Sequence, residues 1–339
     1  MPAIYFKKEG YDPFIDFLKA YSIVCVLLAH AIPNQLFDYI QFMVWGGMQV
    51  PMFVLIQTFH AGKQGKVSFR IKKLWKRIII PFLIVQLVIL VALLLSSPSI
   101  ELVIRKTITS GGNGPGSYFV WVYLQIALLL PLLWPLFVKL TRKQLLFFFV
   151  IIGLIFDCFF SLIHLSQDIY RLLATRYLFL IYLGMKWVTE GVKINKKTTT
   201  ISLASIIAVE FFVYSKIDLE PFFFATEWKT HRWVCYYYVA ILMPSVLYDF
   251  YIRIKERKRL FSFIVKIGQS SYEIFLVNMA VFLFFPGIIA SVMEAGTLRS
   301  MLLFASELFT CIFLGIIFKN RIMPIFDKKV QMNRNVRFK

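Results

Sequence analysis

The sequence predicts an all-α fold, a polytopic membrane protein of about ten transmembrane helices with both termini cytoplasmic. Three observations predict it. Of 339 residues, 59% are hydrophobic and 17% charged, against about a quarter charged in soluble domains. Thirty-six phenylalanines could not be hidden in soluble domains of this size without leaving large apolar patches on the surface. Ten apolar runs follow one another along the chain, close to the roughly 20 residues a helix needs to cross a hydrocarbon core.

The runs lie near 14–32, 39–59, 78–97, 117–138, 144–165, 171–188, 198–215, 232–251, 270–291 and 300–320. Their orientation has an independent check, because Lys and Arg accumulate in short cytoplasmic loops. With the N-terminus inside, 28 of the 38 basic residues fall in cytoplasmic segments and eight in outer loops, while Lys19 and Lys186 lie within runs. This split accounts for the net charge of +20 without any nucleic acid and makes the lipid bilayer the partner. The four cysteines, Cys25, Cys158, Cys235 and Cys311, each sit in a different apolar run. None is spaced as a metal ligand, and the reading includes no metal.

Between the second and third runs, Lys66, Arg70, Lys73 and Arg77 recur at i, i+4, i+7 and i+11 beside a stripe of Val67, Ile71, Leu74 and Ile78. This rhythm predicts an amphipathic cytoplasmic helix near 66–77. Such a helix binds anionic lipid, or the phosphates of a nucleotide-like molecule. The longest outer loop, around Pro98 to Gly116, contains Gly-Gly-Asn-Gly-Pro-Gly, which favours tight turns over a folded unit. The whole chain reads as one transmembrane domain.

Ionisable groups inside a membrane are costly and mark functional sites by default. The first run carries Asp16, Lys19 and His30; later runs carry Asp157, Glu210, Glu273 and Glu307. Lys19 and His30 are eleven residues apart, three helical turns plus about 20°, so they share one stripe with Ser22 and Val26 between them. The rise puts them about 16 Å apart along the axis, with a cation at the inner end and a proton acceptor at the outer end. The same residues also fit a plainer role, with Asp16 and Lys19 as an interfacial ion pair and His30 at headgroup level.

These residues resemble the acyltransferase-3 family of integral membrane O-acyltransferases. The run from Ile15-Asp16-Phe17-Leu18-Lys19-Ala20 to His30 looks like its first-helix motif of an acid, a basic residue three later and a histidine eleven after that. Val50-Pro51-Met52-Phe53 resembles its second-helix motif, Lys73 to Pro81 its basic motif before helix three, and Gly268 to Val277 (GQSSYEIFLV) its late Ser-Tyr motif. There are departures. Lys19 stands where the family usually has Arg, Gln57-Thr58-Phe59 where it often has Ser-Gly-Phe, and Asn278 where it often has His. The hydrolase-like extracytoplasmic domain of some members is missing, so the resemblance implies a membrane-only member of the cytoplasmic (inner) membrane.

The resemblance implies transfer of an acyl group, commonly acetyl from acetyl-CoA, to a hydroxyl of a cell-envelope or exported carbohydrate or glycolipid. His30 and Asp16 are then the catalytic candidates, with His30 as general base. Lys19, Arg70, Lys73, Lys76 and Arg77 are the donor-binding candidates, since an extended pantetheine arm is comparable with the separation of Lys19 from His30. Tyr118, Trp121 and Gln125 follow the glycine-rich loop, where aromatics beside polar groups stack on sugars or form an interfacial belt. A transporter or flippase of a lipid-linked sugar is the alternative reading, with His30 and the carboxylates lining a polar path.

Overall fold

The computed structural model describes residues 4, 6, 11–31, 49–63, 69, 71–96, 99–214, 236–292 and 297–325. Among these residues the fold is all helical, and the one extended contact is an isolated antiparallel bridge between Ile4 and Val192. The helices are α1 (Pro13–Ala31), α2 (Val50–Gly62), α3 (Ile71–Leu74), α4 (Ile80–Ser96), α5 (Ile100–Thr109), α6 (Tyr118–Lys139) and α7 (Arg142–Leu162). They continue with α8 (Leu178–Glu190), α9 (Lys196–Tyr214), α10 (Tyr237–Lys255), α11 (Lys258–Gln269), α12 (Ser271–Val292) and α13 (Thr297–Ile317).

Each of the ten apolar runs overlaps one of these helices, and among the described residues six helical stretches are long and apolar enough to cross a membrane. The described part of α2 and the helix α8 have 13 residues each, about 20 Å of rise, short of a roughly 30 Å core. Helix α1 lies at the centre. It packs against α2, α10, α11, α12 and α13, and Phe14, Ile15, Leu18, Ile23 and Leu27 are fully or almost fully buried along it. The outward faces of α4, α7 and α13 expose Leu87, Val88, Phe147, Phe159, Phe309 and Phe313. Lipid is the solvent that suits such surfaces.

Three local features differ from the sequence expectation. Of the stretch near 66–77, residues 64–68 and Arg70 lie outside the described residues. From Ile71 onward the chain is no separate interfacial helix: α3 passes through a π-helical turn, Trp75–Ile79, straight into α4. The π turn widens the helix where Arg77 and Ile78 reach the interior. The glycine-rich loop expected to lie outside is likewise a folded unit, with helix α5 followed by turns that bury Asn113 and Ser117. The residues after α10, counted above only as cytoplasmic positive charge, form α11. Its Phe261, Ile264 and Ile267 join the core while Lys258 and Arg259 stay exposed.

Gly268 near the end of α11 explains why that helix can lie against α1. A Cβ there would fall 1.8 Å from the carbonyl oxygen of Asp16, closer than any side-chain atom can approach. Only hydrogen fits, and the first turn of α1 is thereby locked to α11.

Candidate functional site

A cavity of about 1110 Å³ lies between α1, α2, the α3–α4 rod, the glycine-rich loop, α6 and α12. Its volume lies slightly beyond the roughly 300–1,000 Å³ typical of a small-molecule site. Helix α1 contributes Lys19, Val26, Ala29 and His30, so the eleven-residue spacing puts both polar ends of the stripe in one chamber. Ser22 turns away; it is fully buried and donates to the Leu18 carbonyl at 2.8 Å. His30 exposes its imidazole to the cavity, with the Phe282 ring centred 5.9 Å away.

Helix α2 supplies the facing wall through Val50, Phe53, Ile56, Gln57 and His60. It runs antiparallel to α1. Gln49, just before it, donates to the Cys25 carbonyl at 3.5 Å, whereas His60 at its far end lies in the electrostatic field of Lys19, Lys63, Asp16 and Lys73. The cavity therefore has two chemically different ends, one at His30 and one at Lys19.

The Lys19 end is cationic. Lys19 is held by Asp16 at 3.0 Å, and Asp16 is buried by α11. Arg77 and Glu273 also line this end. Lys319, which follows α13, donates to the Gln269 carbonyl and interacts electrostatically with Glu273, Asp16, Lys19 and Arg77. Lys19, Arg77 and Lys319 thus share this end with two carboxylates, Asp16 and Glu273, while Lys63 and Lys73 lie within electrostatic range of His60. Positive charges brought this close repel one another, and a polyanion bound there would relieve that repulsion. At the rim, Gln269 donates to the Tyr11 hydroxyl at 2.9 Å, and partial burial together with the neighbouring Asp16 carboxylate pushes the Tyr11 phenol up to about 12. Tyr11 is therefore neutral at physiological pH and remains able to donate.

The glycine-rich loop forms part of the wall at the His30 end. Gly112, Asn113, Gly114, Pro115 and Gly116 all line the cavity. Gln86 of α4 pins the loop in both directions, accepting from the Asn113 backbone N–H at 2.6 Å and donating to its carbonyl at 3.0 Å. Asn113 also donates to the Thr107 hydroxyl at 2.9 Å. Gly114 has a φ of +86°, and a Cβ on it would lie 2.5 Å from the Met279 carbonyl oxygen; glycine is demanded there by backbone conformation and by space alike.

The residues singled out from sequence separate into two groups. His30, Lys19, Arg77 and Tyr118 line the cavity, and Asp16 holds Lys19 from behind. Lys73 and Lys76 lie off its wall, although Lys73 is within the field at His60; Arg70 is outside the described residues. Trp121 and Gln125 do not line the cavity. The Trp121 indole donates to the Gly111 carbonyl at 2.6 Å. Gln125 donates to Leu172 at 2.6 Å and accepts from Ala174 at 3.1 Å. Both clamp backbone, since each polar atom is already spent on a loop. His60, Gln57 and Arg171 line the cavity without having been singled out as site residues, and so does Glu273, one of the ionisable groups counted within the apolar runs. For His60, the signal was its three-residue spacing from Gln57 and seven-residue spacing from Phe53 on one helix face.

Among the described residues, six helical stretches long and apolar enough to cross a membrane and a two-ended polar chamber define the class of multi-pass membrane proteins. The comparison with known families decides within that class. A family model described as an acyltransferase domain, Acyl_transf_3, matches residues 12–320, nearly the whole chain, and the protein belongs to this acyltransferase-3 family. It is a multi-pass membrane acyltransferase. No curated protein and no solved structure matches the chain significantly. Among the described residues no group of His, Cys, Asp and Glu is arranged to hold a metal ion.

Proposed function

We propose that the protein transfers an acetyl group from cytoplasmic acetyl-CoA to a hydroxyl of a cell-envelope or exported carbohydrate, with His30 as general base. The observation that carries this reading is that Lys19 and His30 line the same cavity from one face of α1. The reading includes ten spans in the cytoplasmic membrane with both termini inside, which the 28 to 8 division of basic residues supports. The Lys19 end then faces the cytoplasm.

The donor fits the chamber chemically. Its phosphates complement the cations gathered at the Lys19 end, and its arm extends along the roughly 16 Å of α1 towards His30. The thioester carbonyl then lies beside the imidazole. The acceptor hydroxyl reaches the same point from the outer end, past Tyr118 and Arg171, whose guanidinium carbon lies 5.9 Å from the Tyr118 ring centre. Stacking by Tyr118 suits a sugar ring. The slightly large volume leaves room for both substrates.

His30 takes the hydroxyl proton as the oxygen attacks the thioester carbonyl, a task suited to an imidazole. The tetrahedral intermediate collapses by breaking its C–S bond. The departing sulfur takes the proton from the imidazolium, leaving an ester and free CoA thiol. Asp16 takes no part in this transfer at the far end of the helix; it positions Lys19.

The test is His30→Ala, with folding checked by thermal stabilisation on adding acetyl-CoA. Incorporation of labelled acetyl into envelope carbohydrate should fall by about a hundredfold or more. Undiminished incorporation would remove His30 as the base. Absence of any stabilisation of the wild-type protein by acetyl-CoA, together with acceptor flux into CoA-free liposomes, would favour a transporter instead.

A further inference from the structure

His60 and Gln57 are polar groups on the α2 wall of the chamber for which the reaction above has no use. His60 exposes its imidazole to the cavity within the field of three cations, Lys19, Lys63 and Lys73, and one carboxylate, Asp16. One turn away, Gln57 is more than nine-tenths buried in the same wall. Its amide nitrogen donates to the Tyr123 carbonyl at 2.8 Å. A carbonyl can only accept, so the amide nitrogen must face Tyr123, and Oε1 is turned the other way. Oε1 finds no donor among the described residues. A buried acceptor without a partner is costly, and a ligand N–H relieves that cost.

We infer that α2 is the rail for the acyl donor, with His60 as a phosphate ligand and Gln57 Oε1 as the acceptor for an amide N–H of the pantetheine arm. The assignment rests on the donor reading given above. Three residues on a helix separate His60 from Gln57 by about 4.5 Å, and eleven separate His60 from Gln49 by about 16 Å. The order phosphate, amide, thioester therefore runs along α2 in the same direction as Lys19 to His30 runs along α1. The pantetheine arm carries amide N–H groups between its phosphate and its sulfur. A polar acceptor on an α2 wall that otherwise presents Val50, Phe53 and Ile56 between Gln49 and His60 meets that chemistry.

The experiment uses the full-length protein and two fragments of the donor as probes: adenosine 3′,5′-bisphosphate for the charged end and pantetheine for the arm. His60→Leu should weaken the bisphosphate about tenfold and leave pantetheine unchanged. Gln57→Met, similar in volume but without an acceptor, should weaken pantetheine about tenfold and leave the bisphosphate unchanged. Each variant is thus the folding control for the other. Wild-type affinity for both probes in both variants overturns the assignment. If a variant loses both probes, wild-type protein decides: methylating the pantetheine amide nitrogens should weaken binding about tenfold, and equal affinity overturns the role of Gln57. For His60, a weakening of bisphosphate in His60→Asn of less than twofold overturns it. A wild-type protein that binds neither probe fails the donor reading itself.

Discussion

Gly268 and Asp16 touch backbone to backbone, leaving no room for a Cβ at position 268. This contact ties α11 to the first turn of α1 and holds the carboxylate that pairs with Lys19. A glycine from one end of the chain thus positions a cation from the other.

Gly268→Ala should accordingly destabilise the protein by about 3 kcal/mol, at the upper end for overpacking because the clash is with backbone. It should also weaken acetyl-CoA binding, through displacement of Lys19. Thermal unfolding in detergent and donor titration check both effects. A stability within about 0.5 kcal/mol of wild type would show that the helices separate freely.

The Lys19–Asp16 pair, 3.0 Å apart, has a buried carboxylate and a partly exposed ammonium. Its coupling should lie above that of surface pairs, at about 1–2 kcal/mol. A double-mutant cycle of Asp16→Asn and Lys19→Met on unfolding free energy measures it. A coupling near zero would mean that Asp16 serves something other than Lys19.

Gln86 makes two hydrogen bonds with Asn113. Gln86→Leu should cost about 2 kcal/mol, because each bond contributes roughly 0.5–1.5 kcal/mol and the loop backbone is left unpaired. Limited proteolysis should then cut the loop 110–117 faster than in wild type. Unchanged cleavage would show that other contacts suffice to hold it.

Thr141 begins α7 with a reciprocal cap, its hydroxyl accepting from the Gln144 N–H while the Gln144 side chain accepts from the Thr141 N–H. Thr141→Ala should cost about 1 kcal/mol. The position is remote from the cavity, so the loss should be read in unfolding alone.

Tyr11 introduces a pH dependence. Its folded value of about 12 lies above the ordinary 10, so its contribution to stability is complete below pH 10 and is lost as pH rises towards 12. Tyr11→Phe should flatten the alkaline decline in stability over that interval. An identical pH profile for the variant would mean the phenol titrates as in the unfolded chain.

Much of the fold was legible because helical periodicity and hydrophobicity are local. The stripe on α1 needed only the 3.6-residue repeat, and Lys19 and His30 do line one chamber. Helix α11 was legible too, in the spacing of Phe261, Ile264 and Ile267, but its basic residues were counted as loop charge. Nothing in the segment of Trp121 and Gln125 names their hydrogen-bond partners, Gly111, Leu172 and Ala174, because these lie in other loops. His60 lies just past the second run, and its proximity to Lys19 depends on α2 running antiparallel to α1.

The sequence by itself determined the solvent, the helices and the face that carries Lys19 and His30, because each follows from residue type and from spacing within a single segment. Only the tertiary structure decided that α2 and the glycine-rich loop complete the chamber, that Lys319 and Arg77 join Lys19, and that Gly268 locks Asp16. Those relations arise between segments as far as 300 residues apart, where packing, with no local period to announce it, selects the partner.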